Sequence, residues 1–140
     1  MFAPAQPYRT AADALGRKGS DGIIEFPLTV VPFLRVPFWA TFLLATGFAT
    51  FKRSYEALRA RGCFIQYQFH LSDFVDYTVP DLADQVPLAT DRVYVPAALR
   101  LPLARKLPIF RRAIDLMARD YDFATLQDWA GALTGMQPVS

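Results

Sequence analysis

The chain has 140 residues, of which 53% are hydrophobic and 20% are charged, and its formal net charge is +2. This composition excludes a disordered chain and predicts one domain, and the small net charge argues against nucleic acid as a partner. The single cysteine, Cys63, excludes an internal disulfide and fits a reducing compartment. Because the first residues also lack the basic and apolar pattern of a secretory signal, we expect a cytoplasmic protein.

The first 31 residues divide into an irregular part and a strand. Residues 1–21 contain proline and glycine without a periodic apolar pattern, which predicts an irregular N-terminal segment. Residues 22–31, GIIEFPLTVV, are rich in β-branched and aromatic side chains and predict a strand. Pro27 lacks a backbone donor, so we expect an irregularity at that position.

An apolar segment follows, and it raises the question of a membrane. Residues 36–51 carry no charge, but a membrane-spanning helix needs about 20 apolar residues. The segment therefore predicts a core helix or an interfacial helix, and a membrane surface stays open as a partner. Apolar side chains at three- and four-residue spacing continue the helix to Leu58, and Gly62 is suited to end it.

Residues 63–69, CFIQYQF, predict a second strand, and the only histidine of the chain, His70, follows it directly. An imidazole titrates near neutral pH, which suits it to general acid or base catalysis. The alternative is a structural histidine that ends the strand and bonds to backbone. Asp73 either orients the imidazole or caps the turn after the strand. Tyr67 and Phe69 are expected to pack.

The C-terminal half begins with a long irregular segment, residues 71–103, of a kind that is usually functional or a lid. Residues 107–121 predict an amphipathic helix with Pro108 in its first turn. Thr125 and Asp128 then form a capping-box pattern at the start of a last helix. Residues 135–140 are expected to form a tail.

The chain contains few of the residues that common catalytic sites need. One histidine and one cysteine cannot supply the cluster of a zinc site, and no nucleophile stands in a convincing relation to His70. A basic cluster that includes Lys106 and Arg111 is expected to be a solvated helix face. A phosphate or an anionic lipid head is the alternative interpretation of this cluster.

The order of strand, helix, strand, loop, helix, short strand and helix predicts an α/β fold with parallel strands and covering helices. Three such strands leave an open sheet edge. We therefore expect residues 22–134 to form the C-terminal portion of a distorted (β/α) barrel. His70 would then lie at the carboxyl end of a strand, where such barrels place their active sites.

Three motifs in this order carry a resemblance: IIEFPLTVVPFLRVPF, CFIQYQFHLSDF and YDFATLQDWA. Together they resemble the C-terminal part of the polysaccharide deacetylases, the NodB-like carbohydrate esterases. The resemblance implies a hydrolase of N-acetyl or N-formyl groups on a carbohydrate or a lipid-linked sugar. It implies that His70 is the catalytic general acid for the leaving amine. It also places Tyr67, Phe69 and Asp73 at the substrate, with Tyr67 where leucine is usual.

The motifs that supply the base and the metal ligands in that family, of the types T-F-D-D and H-[ST]-x-x-H, do not occur in this sequence. A complete family member is expected to hold a divalent metal such as zinc, whereas this chain is expected to hold no cofactor and to be inactive alone. An N-terminal half or self-association would then complete it. The alternative function is a non-enzymatic interaction or membrane-associated module that uses the aromatic residues of segment 33–51.

Overall fold

The computed structural model describes residues 5–32, 34–79 and 96–134. Near the N terminus a three-stranded antiparallel sheet has the order β2-β1-β3, with β1 (Tyr8–Ala11), β2 (Ala14–Lys18) and β3 (Ile24–Glu25). Thr10 of β1 lies opposite Lys18 of β2, and Tyr8 lies opposite Glu25 of β3. Two of these strands therefore lie within residues 1–21, for which the sequence predicted an irregular segment.

Four α-helices and two 3₁₀ turns complete the regular structure of the described residues. The helices are α1 (Ala40–Thr46), α2 (Phe48–Ala60), α3 (Leu103–Met117) and α4 (Leu126–Thr134), and the turns are Leu71–Phe74 and Ala97–Arg100. The middle of the predicted irregular segment 71–103 and the predicted tail 135–140 lie outside the described residues.

Two glycines with positive φ set the helix boundaries. Gly47, with a φ of 81°, separates α1 from α2, so the single helix predicted there is broken. Gly62, with a φ of 61°, follows the end of α2. The Gly62 N–H donates to the carbonyl of Arg59 at 2.9 Å, and the Cys63 N–H donates to the carbonyl of Leu58 at 3.1 Å. This paired closure is the Schellman motif, and it confirms the predicted helix stop.

The C-terminal helices follow their predicted patterns with one shift. α3 begins at Leu103, before the predicted start, so Pro108 lies inside the helix and not in its first turn. At the start of α4, the Thr125 N–H donates to Asp128 Oδ2 at 3.1 Å, and the Asp128 N–H donates to Thr125 Oγ1 at 3.1 Å. These reciprocal bonds confirm the predicted capping box.

The core lies between α1, α2, α3 and residues 63–69. Phe38 and Phe51 stack with their ring centroids 4.6 Å apart, and Tyr67 packs edge-on against both at 5.7 Å. Aromatic pairs of this kind contribute about 0.5–1.5 kcal/mol each beyond the burial of their area. The half-buried Tyr67 packs against this cluster, whose other buried members are hydrophobic: Val31, Ala40, Phe42, Leu43, Tyr55, Leu58, Phe110, Ala113 and Met117.

The predicted fold class is wrong, because the described strands are antiparallel and do not form the parallel strands of a (β/α) barrel. Of residues 22–31 only Ile24–Glu25 is a paired strand, and it pairs with β1. Residues 63–69 have no ladder partner in the described chain. Pro27 interrupts the row of backbone donors, which opposes a regular ladder between these two segments.

A side chain replaces the missing ladder along one side of residues 63–69. Thr29 Oγ1 donates to the carbonyl of Phe64 at 3.2 Å and accepts from the N–H of Gln66 at 2.8 Å. Thr29 is itself buried, with 6% of its surface exposed. One hydroxyl group therefore satisfies two backbone groups that a neighbouring strand would otherwise have paired.

The uncharged segment is part of the core. Within the described ranges, we find no helix with the length and apolar character needed to cross a membrane. Phe38, Phe42 and Phe51 are buried, so these rings of segment 33–51 are not available as an adhesive surface.

Candidate functional site

His70 lies where residues 63–69 end and the 3₁₀ turn Leu71–Phe74 begins. Its ring packs edge-on against Trp39, with centroids 5.0 Å apart, and 47% of its side chain is exposed. Its backbone is extended, with a φ of −100° and a ψ of 154°. The only histidine of the chain is therefore an accessible imidazole held on one side by an indole ring.

Asp73 stands beside this imidazole and is fully buried. Its Oδ1 accepts a hydrogen bond from the Thr41 hydroxyl at 3.1 Å, and its Oδ2 accepts one from the His70 N–H at 2.7 Å. The same Oδ2 lies 3.7 Å from His70 Nδ1, which is too long for a hydrogen bond and within ion-pair range of a protonated ring. Asp73 thus caps the turn, which is one of the two alternatives predicted for it, and an orienting role toward the imidazole stays a prediction.

A buried lysine, Lys106 of α3, lies in the same region. Its Nζ donates to the carbonyl of Val75 at 2.8 Å and lies 5.4 Å from the centre of the Tyr77 ring. Burial lowers the pKa of this amine, and the carboxylates of Asp73 and Asp76 oppose that effect. The sequence interpretation of Lys106 as part of a solvated face is wrong. The overlooked signal is its spacing to the buried residues of the same helix face: Phe110, Ala113 and Met117.

Tyr67 and Phe69 are half-buried and pack against the core cluster, as their residue types suggested. The Tyr67 hydroxyl is buried and has no hydrogen-bond partner in the described part of the chain. Burial raises the pKa of this phenol, and the charge of Asp73 adds to the rise. The Phe69 ring contacts the rings of Tyr67 at 5.0 Å and Phe110 at 5.3 Å. The structure therefore brings His70 together with Asp73, and it places Tyr67 and Phe69 against the core cluster.

A groove of about 530 Å³ lies between residues 62–68 and residues 117–129. The Tyr121 hydroxyl reaches across one end of it and donates to the carbonyl of Cys63 at 3.1 Å. At the same end, Trp129 packs edge-on against Phe64, with ring centroids 5.3 Å apart. Apolar rings and glutamine amides line most of the groove.

The sequence interpretation missed this groove. Gln66 and Gln68 alternate with apolar residues in segment 63–69, and such alternation is typical of a strand with one polar face. Both glutamines line the groove, whereas His70 is not among its lining residues. The pair of His70 and Asp73 and the groove are therefore two separate features of this region.

Neither a metal site nor a relative identifies the function. Within residues 5–32, 34–79 and 96–134, no three His, Cys, Asp or Glu side chains group as metal ligands would. No protein-family model, curated protein or solved structure matches the chain.

Proposed function

We propose that the chain is the C-terminal segment of a hydrolase that removes N-acetyl or N-formyl groups from a carbohydrate or a lipid-linked sugar. The observation that carries the proposal is the exposed imidazole of His70 beside the buried carboxylate of Asp73. The resemblance of the three motifs to polysaccharide deacetylases supports the substrate class. In this proposal His70 gives a proton to the amine that leaves.

The chemistry requires one proton transfer from this chain. When water attacks the acyl carbon and the C–N bond breaks, the nitrogen leaves readily only if it takes up a proton. Because Nδ1 of His70 faces Asp73, Nε2 is the ring nitrogen that can donate to the substrate. Asp73 is fixed by the Thr41 hydroxyl and by the His70 N–H, so the carboxylate stays in place beside the ring.

The remaining chemistry belongs to groups outside this sequence. With one histidine and one cysteine, the chain does not fit a zinc site that needs several such ligands, so we assign no step to a metal held by this chain. The base that activates water is likewise assigned to a second polypeptide. Tyr67 and Phe69 would support the acyl pocket through the packing of the segment that precedes His70.

The experiment combines the chain with the polypeptide encoded immediately upstream of it and supplies zinc. An N-acetylated oligosaccharide and an N-formylated lipid-linked amino sugar are the substrates, and mass spectrometry detects the free amine. We expect turnover only in the mixture. Replacing His70 by alanine should reduce kcat by about 10²–10⁴-fold, because that is the usual contribution of a general acid.

Gln68→Ala is the matched control, because Gln68 lies on the same segment and outside the pair of His70 and Asp73. It should leave kcat within a few-fold of the unmodified chain, and both variants should keep the thermal midpoint Tm. Two results would overturn the proposal. One is the absence of turnover in the mixture on either substrate, and the other is full turnover by the His70→Ala chain.

A further inference from the structure

One side of residues 64–69 is paired and the other side is not. The backbone groups of the even-numbered residues bond to Thr29, to Gln6 Oε1 at 3.1 Å and to the Ala40 N–H at 3.0 Å. Because alternate residues of an extended chain direct their backbone groups to the same side, the odd-numbered residues face the opposite way. In the described chain, the odd-numbered residues of this stretch have no hydrogen-bond partner for either the backbone N–H or the backbone C=O. These residues are Ile65, Tyr67 and Phe69.

The arrangement of these six unpaired backbone groups indicates which kind of ligand can bind to them. They repeat every second residue, at about 6.6 Å along an extended chain, which matches the spacing on one side of another extended chain. Proteins normally cover or blunt such an edge, because it is a template for a further strand. The edge also carries no charge between residues 63 and 69 that would oppose pairing.

Two residues of this open edge, Ile65 and Tyr67, line the groove, and Phe69 lies beyond its lining. Cys63 belongs to the same odd-numbered series, and its carbonyl accepts the hydroxyl of Tyr121 from the opposite wall. At the usual strand spacing, rise and sheet separation, one residue of a strand occupies about 160 Å³. The groove of about 530 Å³ therefore has room for a strand of three to four residues, which is the length that pairs with the two unpaired residues in its lining, Ile65 and Tyr67.

We propose that the groove binds an extended peptide segment of another protein, which adds as a strand along Ile65 and Tyr67. The wall of the groove that residues 121–129 form favours this occupant over a second copy of the chain. Two copies that faced each other edge to edge would each bring residues 121–129 into the same space. The bound peptide has apolar residues at alternate positions, which contact the aromatic rings that line the groove. It has a basic residue toward Asp122, the lining carboxylate, and no acidic residue.

Amide hydrogen exchange, measured by NMR on the full chain, tests this pairing. In the free protein the amides of the three odd-numbered residues should exchange faster than that of Gln66, which is bonded to Thr29. The probe is the peptide acetyl-Lys-Val-Thr-Val-Thr-Val-amide. At saturation it should slow exchange at Ile65 and Tyr67 by about tenfold or more. The same peptide with every backbone nitrogen methylated should leave exchange unchanged.

A pair of alanine substitutions provides the matched control. Ala124 lines the groove and Ala132 of α4 does not, and both side chains are exposed, so both variants should fold. Ala124→Trp fills the groove and should abolish the slowing, whereas Ala132→Trp should keep it. The proposal fails if the peptide slows neither the Ile65 amide nor the Tyr67 amide at about 1 mM, or if Ala124→Trp has no effect. It also fails if the slowing rises with protein concentration without peptide, because a second copy then occupies the edge.

Discussion

Replacing Tyr67 by phenylalanine should stabilise the fold. The Tyr67 ring packs edge-on against Phe38 and Phe51, and phenylalanine keeps both contacts. The hydroxyl that is removed is buried and has no hydrogen-bond partner among the described residues. Its removal therefore avoids the cost of taking a polar group out of water and leaves no other group unpaired.

The size of the effect follows from the cost of an unsatisfied group. A buried polar group without a partner costs about 1–3 kcal/mol of folding free energy. We expect the free energy of unfolding to rise by about 1 kcal/mol, at the lower end, because the denatured chain also shields part of its surface. For a domain of this size, that change raises Tm by about 3–5 °C.

Urea unfolding and thermal melts followed by circular dichroism measure this change, and Tyr55→Phe is the matched control. Tyr55 is also buried, but its hydroxyl donates to Asp120 Oδ2 at 2.7 Å. The control loses a hydrogen bond to a carboxylate, so its Tm should fall. The same substitution at two tyrosines with buried hydroxyl groups should therefore change the stability in opposite directions.

The result that refutes this reasoning is a loss of stability in Tyr67→Phe comparable to the loss in Tyr55→Phe. The Tyr67 hydroxyl would then have a partner in the folded protein. If the hydroxyl contacts substrate instead, turnover in the two-polypeptide mixture falls while Tm rises. The paired measurement therefore separates a packing role of Tyr67 from a substrate-binding role.

Three further predictions concern hydrogen bonds and charge. Asp73→Asn should lower the free energy of unfolding by about 1–3 kcal/mol in urea, because a fully buried acceptor of two hydrogen bonds is altered, and an unchanged midpoint would contradict this role. Thr29→Val should speed amide exchange at Gln66, and equal exchange rates would show that the hydroxyl does not hold this segment. Hydrogen bonds from neighbouring hydroxyl groups hold the pKa values of Asp76 and Asp120 below the ordinary range of a carboxyl. Both carboxylates then contribute stability that is present above the unfolded-state pKa of about 4 and is lost as pH falls through the folded-state pKa values. Tm should therefore drop in acid, and Asp120→Asn should make that drop smaller.

Helix ends were predictable because their chemistry is local. Gly62 provides the positive φ that a Schellman stop requires, and it needs no information from the rest of the chain. Thr125 and Asp128 likewise satisfy each other's backbone over three residues. Asp73 belongs to this class too, since its contact with the His70 N–H spans three residues.

The sheet was not predictable in the same way, because strand pairing depends on distant residues. Residues 22–31 look like one strand, yet Ile24–Glu25 pairs with β1, from a segment without a clear strand pattern. Farther along, Thr29 uses its side chain where a backbone ladder was expected. The order of strands and helices does not indicate where a side chain takes the place of a backbone ladder. That order therefore suggested a parallel sheet, which the chain does not form.

Burial of single charges was equally beyond the sequence. Lys106 stands among arginines, but it is fully buried and bonded to the carbonyl of Val75. Removing a charged group from water is costly unless it finds partners, and here a carbonyl, a tyrosine ring and two nearby carboxylates provide them. These partners come from the turn after His70, so the position of α3 and the position of Asp73 depend on each other.

Several groups without a hydrogen-bond partner among the described residues lie in segment 63–69. In the part of the chain that the structure describes, the backbone groups of Ile65, Tyr67 and Phe69 and the Tyr67 hydroxyl have no hydrogen-bond partner. A peptide that pairs with this edge binds the folded state and not the unfolded state. At a concentration of one hundred times Kd, it therefore raises the free energy of unfolding by about 2.7 kcal/mol. His70 follows the same segment, so a partner that orders residues 65–69 also fixes the backbone that presents the imidazole. Peptide binding and proton transfer still have separate tests, because Ala124→Trp blocks the groove without touching His70 or Asp73.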